Sequence, residues 1–147
     1  MPGTGSDGIL AVARWVTATF VAVSAAAAVR PGPFGAPAAV VDGLLFAAGC
    51  GLFLAAYGRG VRRSRRDLIG IGGLYFLAGD VAPPAVRRTL LGALAVQVVT
   101  GIAAAAAQPY TIVATGVLAP VFGLGLCGYW ASRHGRFDPR EPPDGGG

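Results

Sequence analysis

Few side chains in this sequence could do chemistry, and their spacing limits what that chemistry is. The acidic candidate is Asp42, set inside an apolar run from Ala38 to Tyr57. A carboxylate in hydrocarbon is costly, and it marks an ion or proton site unless a partner neutralises it. Arg30, across a short turn, is the partner that the spacing offers. Gln97 falls near the middle of a later run, where an amide either hydrogen-bonds a neighbouring helix or contacts a substrate. Asp42 and Gln97 are thus the candidate intramembrane polar site. Cys50 and Cys127 lie inside apolar runs with no CxxC and no histidine nearby, so they read as small buried hydrophobes rather than disulfide or metal ligands. The sole histidine, His134, stands in Ser132-Arg133-His134-Gly135-Arg136, a solvated flank that builds neither a triad nor a zinc site. There is no GxxxxGK[ST] and no GxGxxG that opens a helix, so no phosphate loop is expected. No catalytic, cofactor or metal set emerges, and the expectation is a protein that is not an enzyme.

The remaining chemistry is cationic. Arg59, Arg62, Arg63, Arg65 and Arg66 crowd eight positions. Such a cluster fixes membrane orientation and can also meet anionic lipid headgroups, at about 1 kcal/mol per residue near the surface.

These residues need elements to hold them, and composition says which. The 147 residues suffice for one domain; 54% are hydrophobic and only 13% charged, against roughly 25% in soluble domains. Mean hydropathy is +0.60. That is too apolar for a soluble globule, and disorder needs the opposite balance. The class left is an integral membrane protein. All 12 basic residues are arginine, against 7 acidic ones. A basic chain can bind nucleic acid, but here the arginines stand at the edges of apolar runs, so no nucleic acid partner is expected.

Hydropathy predicts an all-α fold with four transmembrane helices, near 9–29, 38–57, 89–108 and 110–131. Each run covers a hydrocarbon core of ~30 Å at ~1.5 Å per residue. Residues 1–8 form a polar lead. The first run is longer than the apolar part of a signal peptide and predicts a retained helix, although Ala25–Ala28 imitates a cleavage site. Arg30-Pro31-Gly32-Pro33-Phe34-Gly35 reads as a turn. Residues 58–88 form an arginine-rich loop. Within it, 68–79 is apolar but too short to cross, and its glycines disfavour helix, so it reads as an interfacial, re-entrant or strand-like segment. Residues 132–147 read as a disordered tail.

With four spans, eleven arginines fall on the side of the termini and the 58–88 loop, and only Arg30 on the other. The positive-inside rule then places both termini in the cytoplasm, in the plasma membrane. Trp15, Tyr57, Tyr129 and Trp130 cluster near that interface, as amphipathic rings should. Small residues recur every four positions: Gly43, Ala47, Gly51 and Ala55; Ala93, Gly101 and Ala105 with Gln97 between; Ala119, Gly123, Cys127 and Ala131. Such rows let helix backbones approach, predicting compact packing within the chain and self-association or a larger membrane complex.

Several local motifs add a resemblance. They are Gly73-Leu74-Tyr75-Phe76-Leu77-Ala78-Gly79, Val86-Arg87-Arg88-Thr89-Leu90-Leu91-Gly92, Gln108-Pro109-Tyr110-Thr111 and Gly123-Leu124-Gly125-Leu126-Cys127-Gly128-Tyr129-Trp130. Over 72–136 the chain resembles a group of small actinobacterial membrane proteins of unknown function, which implies four helices and no particular activity. Small multidrug transporters are similar in length and helix number, but they rely on a first-helix Glu, and this sequence has no Glu before Glu141. The expectation is a non-enzymatic accessory or interaction component of the membrane; the alternative is a small carrier using Asp42 or Gln97.

Overall fold

The computed structural model describes residues 4–141. Its elements are α1 (Thr4–Val29), α2 (Pro31–Arg63), α3 (Ile71–Phe76), α4 (Pro84–Ala107), a 3₁₀ segment (Ile112–Leu118) and α5 (Pro120–His134). Among the described residues the only β pairing is a single bridge between Asp67 and Pro139. Among the described residues four helices are long and apolar enough to cross a membrane, the fourth combining the 3₁₀ segment with α5.

Helix ends depart from hydropathy for local reasons. The expected turn at 30–35 is instead the first turns of α2, with Pro31 at its start. Proline suits that position, because its missing N–H would have had no helical partner. α2 therefore has 33 residues, about 50 Å of helix, well beyond the ~30 Å hydrocarbon core. Its last turns carry Arg59, Arg62 and Arg63, so part of the expected loop is helix. The fourth run is not one α-helix. It passes from 3₁₀ to α at Ala119-Pro120, where Pro120 lacks an N–H to give.

The buried faces follow a repeat of seven. In α1 it runs through Ser6, Ala13, Phe20 and Ala27, with Thr17 and Ser24 in the alternate seam. In α2 it runs through Gly35, Asp42, Gly49 and Ala56. In α4 Leu90, Gln97 and Ala104 repeat, with Gly101 between. Seven-residue seams belong to left-handed bundles with knobs-into-holes packing. The predicted row Gly43, Ala47, Gly51 and Ala55 is the correction here: all four are exposed, and a Cβ added to Gly43 or Gly51 would meet nothing within 4 Å. The interior of α2 is the other face. A Cβ on Gly49 would lie 2.5 Å from Phe122 N, and one on Gly125 2.5 Å from Gly49 O, so the α2 and α5 backbones touch. Gly101 and Gly123 do sit inside: a Cβ would lie 2.6 Å from Gly116 O and 2.7 Å from Gln97 Oε1 respectively.

Contacts pair like ends. Thr17 meets Gln97 and Ala28 meets Gln108, so α1 and α4 run parallel. Asp42 meets Thr115 and Arg63 meets Gly135, so α2 runs parallel to the fourth helix. The bundle is two helical hairpins side by side in the same sense.

Segment 68–79 is not strand-like. It forms the short α3, whose Leu74 and Tyr75 are buried, as is Leu77 just after it. These side chains need burial, and the glycines of α2 and α5 open room for them: Leu74 packs over Gly60 and Tyr75 over Gly128. The Tyr75 ring stacks on Phe53 at 4.2 Å, and its hydroxyl donates to the Phe53 carbonyl at 3.0 Å. Leu77 ends α3 in the left-handed region at φ 51, a strained choice for leucine that complete burial of its side chain offsets.

The tail is also ordered as far as residue 141. Leu68 N–H donates to Asp138 O, Arg140 N–H to Arg66 O, and Arg136 N–H to Val81 O. These bonds fasten it over the 66–81 connection, so the expected disorder does not hold for 132–141. The rest of that expectation, 142–147, lies outside the described residues, as do positions 1–3 of the predicted polar lead.

Candidate functional site

The polar groups inside the bundle form a ladder of interhelix hydrogen bonds. At one end Trp130 Nε1 donates to Ser6 Oγ at 3.0 Å. Near the middle Gln97 joins three helices. Its amide nitrogen donates to Thr17 Oγ1 at 2.8 Å, and its Oε1 accepts from Gly123 N–H at 3.1 Å. Gly123 stands in the first turn of α5, where backbone N–H groups lack α-helical acceptors. Gln97 thus caps α5 from another helix, and its buried amide uses both its oxygen and its nitrogen.

Asp42 occupies the next layer. Because α2 begins at Pro31, Asp42 lies about 16 Å along the helix rather than one turn inside it. The expected pair with Arg30 does not form; among the described residues the only salt bridge is Arg63–Asp67. Arg30 sits at the N-cap of α2, on the far side of those three turns, and is exposed. Asp42 is 2% exposed and accepts from Thr115 Oγ1 at 2.9 Å. The same hydroxyl lies 2.7 Å from Ile112 O. Gly116 and Phe20 close the layer around the carboxylate. At the far end Gln108 Nε2 donates to Ala28 O at 3.0 Å.

Asp42 and Gln97, read from the sequence as one candidate polar site, thus belong to different layers with separate partners. Thr17, Ser6 and Thr115 were not singled out by sequence reasoning. Their signal was there: a hydroxyl inside an apolar run belongs where it can find a partner. Cys50 and Cys127 are free thiols, half-buried and buried. His134 is exposed, its ring 5.6 Å from that of Trp130. Among the described residues no group of three His, Cys, Asp or Glu could hold a metal ion.

The arginines gather at the end of the bundle that holds Ser6 and Trp130. Arg59, Arg62, Arg63, Arg65 and Arg66 line one cavity of about 380 Å³ together with Ser132 of α5. Arg63 is held by Asp67 at 2.5 Å and by Gly135 O at 3.0 Å. The Arg59 guanidinium lies 5.0 Å from the centre of the Tyr129 ring, and Arg133 stacks on the same ring at 4.9 Å.

No family model, curated protein or solved structure matches the chain. The class that fold and interior define is an all-helical protein with four helices able to cross a membrane and a hydrogen-bonded polar ladder between them.

Proposed function

We propose that this is a polytopic protein of the plasma membrane, both termini cytoplasmic, acting as a non-enzymatic accessory or interaction component. The observation that carries the reading is that Gln97, Asp42, Trp130 and the hydroxyls of Ser6, Thr17 and Thr115 are engaged with one another or with backbone: Ser6 with Trp130, Thr17 and Gly123 with Gln97, and Thr115 with Asp42. An interior bonded in this way holds helices together rather than a substrate. The outward row Gly43, Ala47, Gly51 and Ala55 leaves α2 a smooth face where a partner helix, from a second copy or another protein, comes close. Orientation rests on the arginine asymmetry. The resemblance to small actinobacterial membrane proteins is consistent with this role and adds no activity.

Purification in mild detergent with crosslinking from single cysteines at Gly43 or Gly51, in a Cys50→Ala/Cys127→Ala background, tests the role. Crosslinks from these positions and none from Arg14 are expected; a strictly monomeric chain with no co-purifying membrane protein defeats it. Labelling of cysteines at Ser64 and Asp80 from the cytoplasmic side only checks orientation.

A carrier is the second reading, favoured by the burial of Asp42 deep in a span. Proteoliposome flux of protons or cations abolished by Asp42→Asn in a folded protein would establish it.

A further inference from the structure

We propose that the arginine-lined cavity at the end of α2 binds the phosphate of an anionic phospholipid, a role independent of whether a partner helix or Asp42 carries the activity. Three features support it. The first is charge. Five guanidinium groups and Ser132 make the wall, and no acidic residue lines it. Asp67 engages Arg63 alone, so four guanidinium charges in the wall lack an ion pair among the described residues. Like charges at this spacing repel one another, and an anion between them removes that cost. Guanidinium is also the group whose planar fork matches phosphate oxygens.

The second feature is an unmet donor. Arg59 Nη1 is shielded from solvent and has no hydrogen-bond acceptor. Arg59 is anchored by stacking on Tyr129, which holds its charge at the cavity. A buried donor without an acceptor is destabilising, and a phosphate oxygen brought to it would supply the acceptor. Ser132 Oγ gives its single hydrogen to Tyr129 O at 2.9 Å, so the donors to the anion are the guanidinium groups.

The third feature is depth, which selects a lipid over a free anion. On α2 the exposed apolar side chains Leu54 and Tyr57 immediately precede Arg59. Tyrosine at the end of an apolar span marks the membrane–water boundary. Arg59 to Arg66 then occupy the next turns, at the level of the headgroups, with acyl chains alongside Leu54. The contents of the cavity are therefore drawn from lipids already in the membrane, as expected for juxtamembrane basic clusters.

The test is native mass spectrometry of the full chain in detergent, titrated with phosphatidylglycerol or phosphatidylcholine. A phosphatidylglycerol adduct at least tenfold stronger than the phosphatidylcholine adduct is expected. Arg62, Arg65 and Arg66 are exposed and their side chains make no hydrogen bond or ion pair among the described residues, so Arg62→Gln/Arg65→Gln/Arg66→Gln is expected to fold, with its thermal transition by circular dichroism unchanged. It should weaken phosphatidylglycerol binding on the order of a hundredfold, from about 1 kcal/mol per arginine. Arg87→Gln/Arg88→Gln, outside the cavity wall, should leave binding intact. The proposal fails if the two lipids bind alike, if the triple variant keeps the adduct, or if Arg87→Gln/Arg88→Gln loses as much, which would make the effect one of general surface charge. Displacement of the lipid by millimolar inorganic phosphate would also overturn it, by showing a site for a free anion.

Discussion

The contact between Gly49 and α5 makes the interior face of α2 measurable. An alanine methyl at Gly49 would sit 2.5 Å from Phe122 N and 2.6 Å from Val121 C, whereas ordinary contact begins near 3.4 Å. Both obstacles are backbone, so no side chain can rotate away. α2 and α5 must part by about 1 Å, and a gap of that size forfeits a quarter to a half of each van der Waals contact along the seam. Overpacking of this kind costs ~1–3 kcal/mol. The natural control lies two residues on, where Gly51→Ala adds its methyl to open space. Both substitutions gain the same helix propensity, up to about 1 kcal/mol. That gain cancels when the two variants are compared, leaving the steric cost alone.

The expected result is that Gly49→Ala unfolds about 1–3 kcal/mol more easily than Gly51→Ala, some 5- to 150-fold in the folded/unfolded ratio. Reversible denaturation by increasing SDS in mild-detergent micelles, followed by circular dichroism, measures it. Equal stabilities, or a larger loss from Gly51→Ala, would mean that the four-residue row Gly43, Ala47, Gly51 and Ala55 faces inward and that the seven-residue seam is wrong.

Two further outcomes follow from the hydrogen bonds. Gln97→Leu should destabilise the bundle by about 1–3 kcal/mol, since Gly123 N–H and Thr17 Oγ1 both lose a partner; a double-mutant cycle with Thr17→Val should return a coupling of about 0.6–2 kcal/mol, and zero coupling would refute the three-helix junction. Burial, with Tyr57 nearby as a lesser cause, pushes the Tyr75 phenol above its ordinary value of 10.0. The folded state then favours the neutral phenol, so this contribution is intact below pH 10 and lost as pH rises above it. Tyr75→Phe should flatten that alkaline loss in the same SDS titration, and an identical pH profile in both proteins would count against burial of the ring.

Much of the fold was legible in the sequence, and what was hidden had a common cause. Hydropathy locates spans because hydrocarbon tolerates little else. It cannot locate helix ends: Pro31 and Arg59 to Arg63 look like breaks on a polarity scale, yet proline suits a first turn and arginine can reach the headgroups from a continuing helix. Nor can it find the inward face, because lipid and interior are equally apolar. In an alanine-rich chain a four-residue row of small residues arises on any face, and the one in α2 points outward. The legible signal was the polar minority. Ser6, Thr17 and Ser24 on α1, and Gln97 on α4, all fall in buried seams. α3 was hidden for a different reason. Its glycines argue against helix locally, and only the hollows over Gly60 and Gly128 repay burying Leu74 and Tyr75 there.

Asp42 remains the residue on which the two functional readings diverge, and its hydrogen bonding makes Asp42→Asn a clean way to separate them. Gln97 has its oxygen and its nitrogen both engaged, and its removal strands a helix end. Asp42 is held by one hydroxyl. Thr115 has a single hydrogen to give, yet its oxygen lies within bonding distance of both Asp42 Oδ2 and Ile112 O. An ionised carboxylate offers only acceptors, so the two oxygens compete for that hydrogen. The amide of Asp42→Asn has the carboxylate's shape and brings donors of its own. It can give to Thr115 Oγ1 and release the threonine hydrogen to Ile112 O. The amide also carries no charge, whereas an ionised Asp at a helix centre costs ~2.5–3.5 kcal/mol on insertion scales. Asp42→Asn should therefore fold at least as stably as the parent in the SDS titration. A loss of stability beyond about 1 kcal/mol would mean that the carboxylate makes a contact that the Thr115 bond does not account for. With folding preserved, any effect on ion flux or on partner capture belongs to the charge itself. Flux lost selects the carrier; partner capture retained with no flux in either protein selects the accessory role.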